Sequence, residues 1–264
     1  MKAEGIMNRI RKVFILSCSV MTCMLLSGCF NFSTSLNYKH ADRYTMGGAT
    51  ITDSVKNIDI NWIDGTVDVL THNENTVSFS ETSDIELDEN KTLYYYLEGD
   101  TLHIQFGKAR KIPSNQNFSK HLTVYVPEGA VFEDIDVDNV SSSFNIKGVS
   151  CDSFEADTVS GDVTVQLNAV REFKVDSVSA DCRLESAVAP DEFEADMVSG
   201  NIELAIPEGS GFKVSFDTVS GKLNSEFEVT KDDDEYICGD GKAEYSVDTV
   251  SGGITIKKLA ADII

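Results

Sequence analysis

Beyond residue 50 apolar and polar positions alternate along most of the chain, and from residue 135 the alternation settles into one recurring phrase. D-N-V-S-S at 138 is followed by D-T-V-S-G at 157, D-S-V-S-A at 176, D-M-V-S-G at 196, and D-T-V-S-G at 217 and 248. The serines Ser141, Ser160, Ser179, Ser199, Ser220 and Ser251 lie 19, 19, 20, 21 and 31 residues apart. Aligning the copies on these serines sorts the flanking residues into columns. Six before the serine stand Ile135, Phe154, Phe173, Phe193, Val214 and Tyr245; four before stand Val137, Ala156, Val175, Ala195, Phe216 and Val247. Three after come Phe144, Val163, Cys182, Ile202, Leu223 and Ile254; five after come Ile146, Val165, Leu184, Leu204, Ser225 and Ile256. The residue just before the serine is always valine, and this column is expected to face inward with the others. Each unit thus predicts two short half-buried strands around a polar turn.

A unit of about 20 residues cannot bury its own apolar face, whereas stacked units set like residues over one another at the strand spacing of about 4.8 Å. The predicted fold is therefore all-β, a single-chain β-solenoid with rungs of roughly 20 residues. Ile58–Val69 fits the template as a degenerate first unit, with Asn61 in the aspartate column and Gly65 in the glycine column. Leu93–Phe106 reads as a hairpin turning at Glu98-Gly99-Asp100, and Leu122–Val126 as a strand stopped by Pro127. The longest spacing holds Lys231–Glu235 and Gly239–Gly241, predicted as a charged loop expelled from the stack.

Ahead of the repeats, Arg9, Arg11 and Lys12 precede an uncharged apolar run, Val13–Leu26, which is too short for a comfortable membrane span. The run ends in Leu26-Ser27-Gly28-Cys29, which resembles a lipobox, in which small residues admit the signal peptidase and the thiol accepts a diacylglyceryl group. Residues 1–28 are thus expected to be a lipoprotein signal peptide, 29–50 a lipidated cysteine with a polar tether, and 51–264 the solenoid. The 22 basic and 44 acidic residues of the chain lose four and one to that signal, leaving a net charge of about −25. Such a chain repels phosphate backbones and anionic headgroups, so nucleic acid is not an expected partner. Of the six cysteines, Cys151, Cys182 and Cys238 remain beyond Cys29, too few and odd in number for a disulfide framework. Cys182 falls in an apolar column and reads as a small buried hydrophobe; Cys151 and Cys238 stay undecided.

These residues resemble a family of bacterial envelope proteins built on a domain of unknown function, described as putative adhesins and carrying D-x-V-S-G-D repeats. The marks are W-I-D-G-T-V-D-V at Trp62, L-T-V-Y-V-P at Leu122, D-T-V-S-G-D-V at Asp157, and G-D-G-K-A before the last repeat. The resemblance covers about residues 51–264 and implies a right-handed solenoid, exported and often membrane-tethered, with some members linked to envelope-stress signalling. It brings no catalytic residues. Ser142 or Ser143 and Ala180 depart from its G-D pattern.

His40, His72, His103 and His121 show no metal-ligand spacing, and no nucleophile elbow, zinc-protease motif or phosphate loop occurs. The aspartate column is expected to cap turn amides; the alternative is calcium held by Asp157, Asp176, Asp196 and Asp217. Lone Trp62 is expected in the core. No cofactor is expected. The expected function is a non-catalytic binding, scaffold or adhesin-like module, lipid-anchored on the extracytoplasmic face of the cell membrane, with an envelope protein or glycan as partner. The alternative is a polysaccharide-active β-helix enzyme, against which stands the scatter of the basic residues Arg171, Lys174, Arg183, Lys213 and Lys222.

Overall fold

The computed structural model describes residues 35–36, 38–111 and 118–259, so the signal segment and Cys29 lie outside the described residues. The larger of two compact units comprises residues 36–110 and 117–264. Two short strands, Ser35–Leu36 (β1) and Arg110–Lys111 (β8), are not members of its sheet. The sheet strands are Thr45–Met46 (β2), Ala49–Ile51 (β3), Asn57–His72 (β4), Val77–Ser83 (β5), Tyr94–Glu98 (β6), Thr101–Gln105 (β7) and Lys120–Pro127 (β9). They continue with Val131–Ser160 (β10), Val163–Ser179 (β11), Cys182–Ser186 (β12), Glu192–Ser199 (β13), Ile202–Ile206 (β14), Phe212–Ser220 (β15) and Leu223–Ser225 (β16). Thr230–Asp232 (β17), Glu235–Cys238 (β18), Ala243–Ser251 (β19) and Ile254–Lys258 (β20) complete it. The fold is the expected all-β solenoid.

Each coil contributes one segment to each of two parallel stacks. In the first stack β7 lies beside the start of β4, β4 beside Asp134–Asn139 of β10, and Ser153–Ser160 of β10 beside β11, followed by β13. The aligned columns are confirmed residue by residue: Phe154 faces Phe173, Phe173 faces Phe193, and the degenerate unit pairs Ile58 with Ile135 and Asn61 with Asp138. In the second stack Val67 pairs with Phe144, Phe144 with Val163, Val163 with Cys182 and Cys182 with Ile202. Long strands β4, β10 and β11 turn the corner between stacks and so belong to both.

Packing follows from this register. Ile58, Ile135, Phe154, Phe173, Phe193 and Tyr245 are all buried, and beside two of the rings the next inward position is small, Ala156 after Phe154 and Ala195 after Phe193. Phe154 and Phe173 stack at 5.0 Å between centroids, Phe173 and Phe193 at 5.4 Å. Such contacts add about 0.5 to 1.5 kcal/mol each beyond the area they bury.

Spatial order departs from chain order at both ends. The last repeat does not close the stack: β19 is inserted between β13 and β15, and β20 between β14 and β16. Likewise β4 sits inside β7 and β9, which follow it in the chain. Antiparallel strands then cover the outer coils. At one end β6 pairs with β7, β2 with β6, β5 with β9 and β3 with β5. At the other, β17 and β18 form a hairpin whose β18 pairs antiparallel with β15. The region expected to be an expelled charged loop is therefore a sheet edge, because its alternating Tyr236 and Cys238 give it one inward side. Strands β2 and β3 also place residues 45–51 inside the domain, so the folded part begins earlier than residue 51.

Candidate functional site: the outer face of the first stack

The turn after each first-stack segment decides which side chains face outward. Strand alternation continues through the turn, so the residue between aspartate and valine points inward: Asn139, Thr158, Ser177, Met197 and Thr249 are all buried, as is Trp62 in the degenerate unit, whereas Thr218 in the outermost coil is exposed. The valine column consequently faces outward, contrary to expectation, with Val159 44%, Val219 76% and Val250 41% exposed and Val140, Val178 and Val198 partly so. In two coils the inner residue serves the turn's own polar groups. Asn139 Oδ1 accepts the amide of Ser142 at 2.8 Å, and Asn139 Nδ2 donates to Thr158 Oγ1 at 3.0 Å. Thr158 Oγ1 in turn donates to Ser160 O at 3.0 Å.

The repeated serine joins coils together. Ser141 Oγ donates to Ile63 O at 2.9 Å, Ser160 Oγ to Val140 O at 3.3 Å, Ser199 Oγ to Val178 O at 3.3 Å and Ser220 Oγ to Val250 O at 3.4 Å. The following glycine permits close approach: Gly161 and Gly200 have φ of 108° and 120°, and a Cβ on Gly200 would lie 1.8 Å from Ala180 O. Ala180, the departure from the pattern, occupies the partner position of that contact.

The aspartate column does not cap these turns. Among the described residues, Lys174 is the one side chain in hydrogen-bonding reach of a column carboxylate, 3.1 Å from Asp176. Turn amides are met instead by the second residue after the repeated serine, which reaches to the next coil, with Asp162 accepting from Asp181 N at 3.3 Å and Asp181 from Asn201 N at 2.7 Å. The column faces solvent beside a second acidic column that includes Asp59, Asp136, Glu155 and Glu194. Burial pushes the Asp136 carboxyl up to about 7, helped by Asp138 and Asp59. Burial, then Asp176 and Asp138, lifts Asp157 to about 6, and burial, then Asp176 and Asp248, lifts Asp196 to about 6.

The calcium alternative is only partly assembled. Asp157 and Asp176 come together with Glu155, their oxygens within 4.8 Å, but Asp196 and Asp217 are separated by the inserted Asp248. Lys174 Nζ lies 2.7 Å from Glu155 and 3.1 Å from Asp176, so an ammonium already holds the cation position in that group.

The histidines are dispersed. His103 Nδ1 meets Asp59 Oδ2 at 2.5 Å, which raises its pKa, and His72 Nε2 meets Thr76 O at 2.7 Å. Cys151, Cys182 and Cys238 are free and buried, and burial pushes the first two thiols up to about 12. One polar group had no signal in the sequence. Fully buried Lys120 places Nζ 2.5 Å from Glu81 Oε2 and 2.6 Å from Lys91 O, over the rings of Phe106 and Trp62. Glu81 Oε1 accepts Leu93 N at 2.6 Å, so the pair ties the end cap to the first coils.

A parallel solenoid with serine-linked coils and an acidic, valine-edged outer face defines a class of repeat protein. The chain matches the family described as Toastrack DUF4097 over residues 51–192, and it belongs to that family. No curated protein matches the chain. Among solved structures it is similar to a putative cell adhesion protein from Clostridium sporogenes, at 13% identity and TM-score 0.37, covering 81% of this chain and 100% of that one. A putative adhesin from Bacteroides fragilis is 12% identical with TM-score 0.32, covering 81% and 97%. A putative lipid binding protein from Parabacteroides distasonis is 10% identical with TM-score 0.32, covering 83% and 97%.

Proposed function

We propose that this chain is an exported lipoprotein, anchored to the cell membrane through Cys29 on its extracytoplasmic face, whose solenoid serves as a non-catalytic binding or scaffold module. The observation that carries the reading is the repetition of one surface unit, coil after coil, into a single continuous face. A face of identical rows suits recognition of an extended partner, an envelope protein or a glycan. The order of basic residues, apolar run and Leu26-Ser27-Gly28-Cys29 supports the anchor. Two acyl chains hold a protein where one binds marginally, since each buried CH₂ contributes about 0.8 kcal/mol. Tyr38 is already fastened to the domain, its hydroxyl donating to Gly107 O at 3.1 Å, and from Cys29 to Tyr38 the chain can reach at most about 31 Å at about 3.4 Å per residue, so the module works close to the membrane. A role in envelope-stress sensing is the use that the family resemblance suggests for such a module.

Palmitate labelling and detergent partitioning of wild type and Cys29→Ala test the anchor. Wild type is expected to carry label and enter the detergent phase, and Cys29→Ala to do neither. Unchanged partitioning and a normal mature mass in Cys29→Ala would contradict the proposal.

A further inference from the structure

Seven outward apolar positions follow one another along the first stack: Ile63, Val140, Val159, Val178, Val198 and Val250, ending at Val219. The spatial order matters, because insertion of the last repeat puts Val250 between Val198 and Val219 and leaves no break in the ridge. Six steps of about 4.8 Å make it about 29 Å long. By strand alternation the aspartate column runs parallel to it, two residues away on the same face.

The charge on this face is one-sided. On the second stack Arg183 pairs with Glu185 and Glu203, and Lys257 with Glu203, so acids and bases alternate. In the two columns nearest the valine ridge Lys174 is the one lysine or arginine, and apart from neutral Asn61, Ser246 and Ser215 towards the ends the remaining positions are carboxylates. The backbone groups of the stack are already engaged between coils, so a partner cannot dock by adding a strand and must use side chains. A second copy of this chain would set carboxylates against carboxylates. An anionic bilayer would meet the same repulsion.

We infer that the valine ridge and its aspartate border form a docking surface for a basic amphipathic helix of a partner protein, its apolar stripe laid on the valines and its lysines or arginines on the carboxylates. A helix of about 20 residues spans the ridge at 1.5 Å per residue. The inference deepens the binding-module reading and rests on it.

The test uses the full-length protein in neutral phosphatidylcholine nanodiscs, with empty discs as reference. The probe is a synthetic 20-residue helix with a leucine stripe flanked by lysines. Saturable, salt-sensitive binding is expected, weakened at least tenfold by Val178→Ser with Val198→Ser, and also by Asp157→Asn with Asp196→Asn, without loss of the thermal transition. Binding that ignores both pairs, or equal binding of a glutamate-for-lysine peptide, overturns the inference, as does absence of binding. In intact cells, a photocrosslinking residue at Val178 is expected to capture a partner through a basic helix. Adducts from Thr164 on the second stack but none from Val178 would overturn this surface and leave the binding-module reading standing; adducts from neither would count against both.

Discussion

At the scale of single residues, the turn shows why side-chain polarity misleads where backbone needs dominate. Valine before the serine is apolar yet outward, while the preceding Asn, Thr, Ser or Met is buried because it continues the inward alternation, and Asn139 and Thr158 also serve the turn. Met197→Asp therefore puts an unpartnered charge in the interior at a cost of several kcal/mol and is expected to abolish the cooperative thermal transition. Val198→Asp adds a charge to an acidic surface, and should cost under about 1 kcal/mol. Equal effects of the two substitutions would mean that the inward face is misassigned. Glycine positions separate in the same way. Gly200→Ala meets both a positive φ and the Ala180 carbonyl, so a loss above about 2 kcal/mol is expected in chemical denaturation. Gly99→Ala, where φ is 66° but no atom lies within 4 Å, should cost only about 1 kcal/mol.

At the scale of elements, the columns at −6, −4, +3 and +5 from the serine were legible because period-2 burial repeats from coil to coil, loosening only in the outermost, where Phe216 and Leu223 are half-buried. The hairpin at Gly99 and the turn after Pro127 were legible from their punctuation; β6 ends at Glu98, and Ala130 N reaches Pro127 O at 3.1 Å. The neighbours of each coil were not legible, because identical columns accept one another in any order. Only the spacing of 31 residues hinted at the hairpin of β17 and β18 and the return of β19. The buried Lys120–Glu81 pair left no trace either, since the two residues are distant in the chain and each sits in an otherwise ordinary strand. Breaking it by Glu81→Ala leaves a buried ammonium and is expected to cost about 3 to 5 kcal/mol, measured by denaturant titration. Replacing both partners, as in Lys120→Met with Glu81→Leu, should recover most of that loss. A double variant as unstable as the single one would assign the cost to packing.

At the scale of the whole molecule, the acidic face couples folding to pH. Asp136, Asp157 and Asp196 hold protons to about 7, 6 and 6 in the folded protein, whereas an unfolded chain releases them near 4. Between about pH 4 and 7 the folded state thus binds more protons, so its stability falls as pH rises through that window. Self-repulsion of the acidic chain acts in the same direction. Lys120, depressed to about 8 by burial, works oppositely, but only between about pH 8 and 10. The thermal midpoint is expected to be higher at pH 5 than at pH 7.5, with a smaller difference in Asp136→Asn. A midpoint that rises from pH 5 to 7.5 would contradict the crowding of carboxylates on this face.

The order of the coils along the ridge rests on the last repeat lying between the fourth and fifth. Paired cysteines test that order directly, because a disulfide needs Cα atoms about 4.4 to 6.8 Å apart. Glu194 lies beside Ser246 in the observed register, whereas stacking in chain order would bring it beside Ser215. Glu194→Cys with Ser246→Cys is expected to oxidise to an intramolecular disulfide in the folded protein, detected by mass and by faster migration of the unreduced chain. Glu194→Cys with Ser215→Cys should remain reduced; a disulfide in that pair, with none in the first, would contradict the insertion and the order of coils along the face.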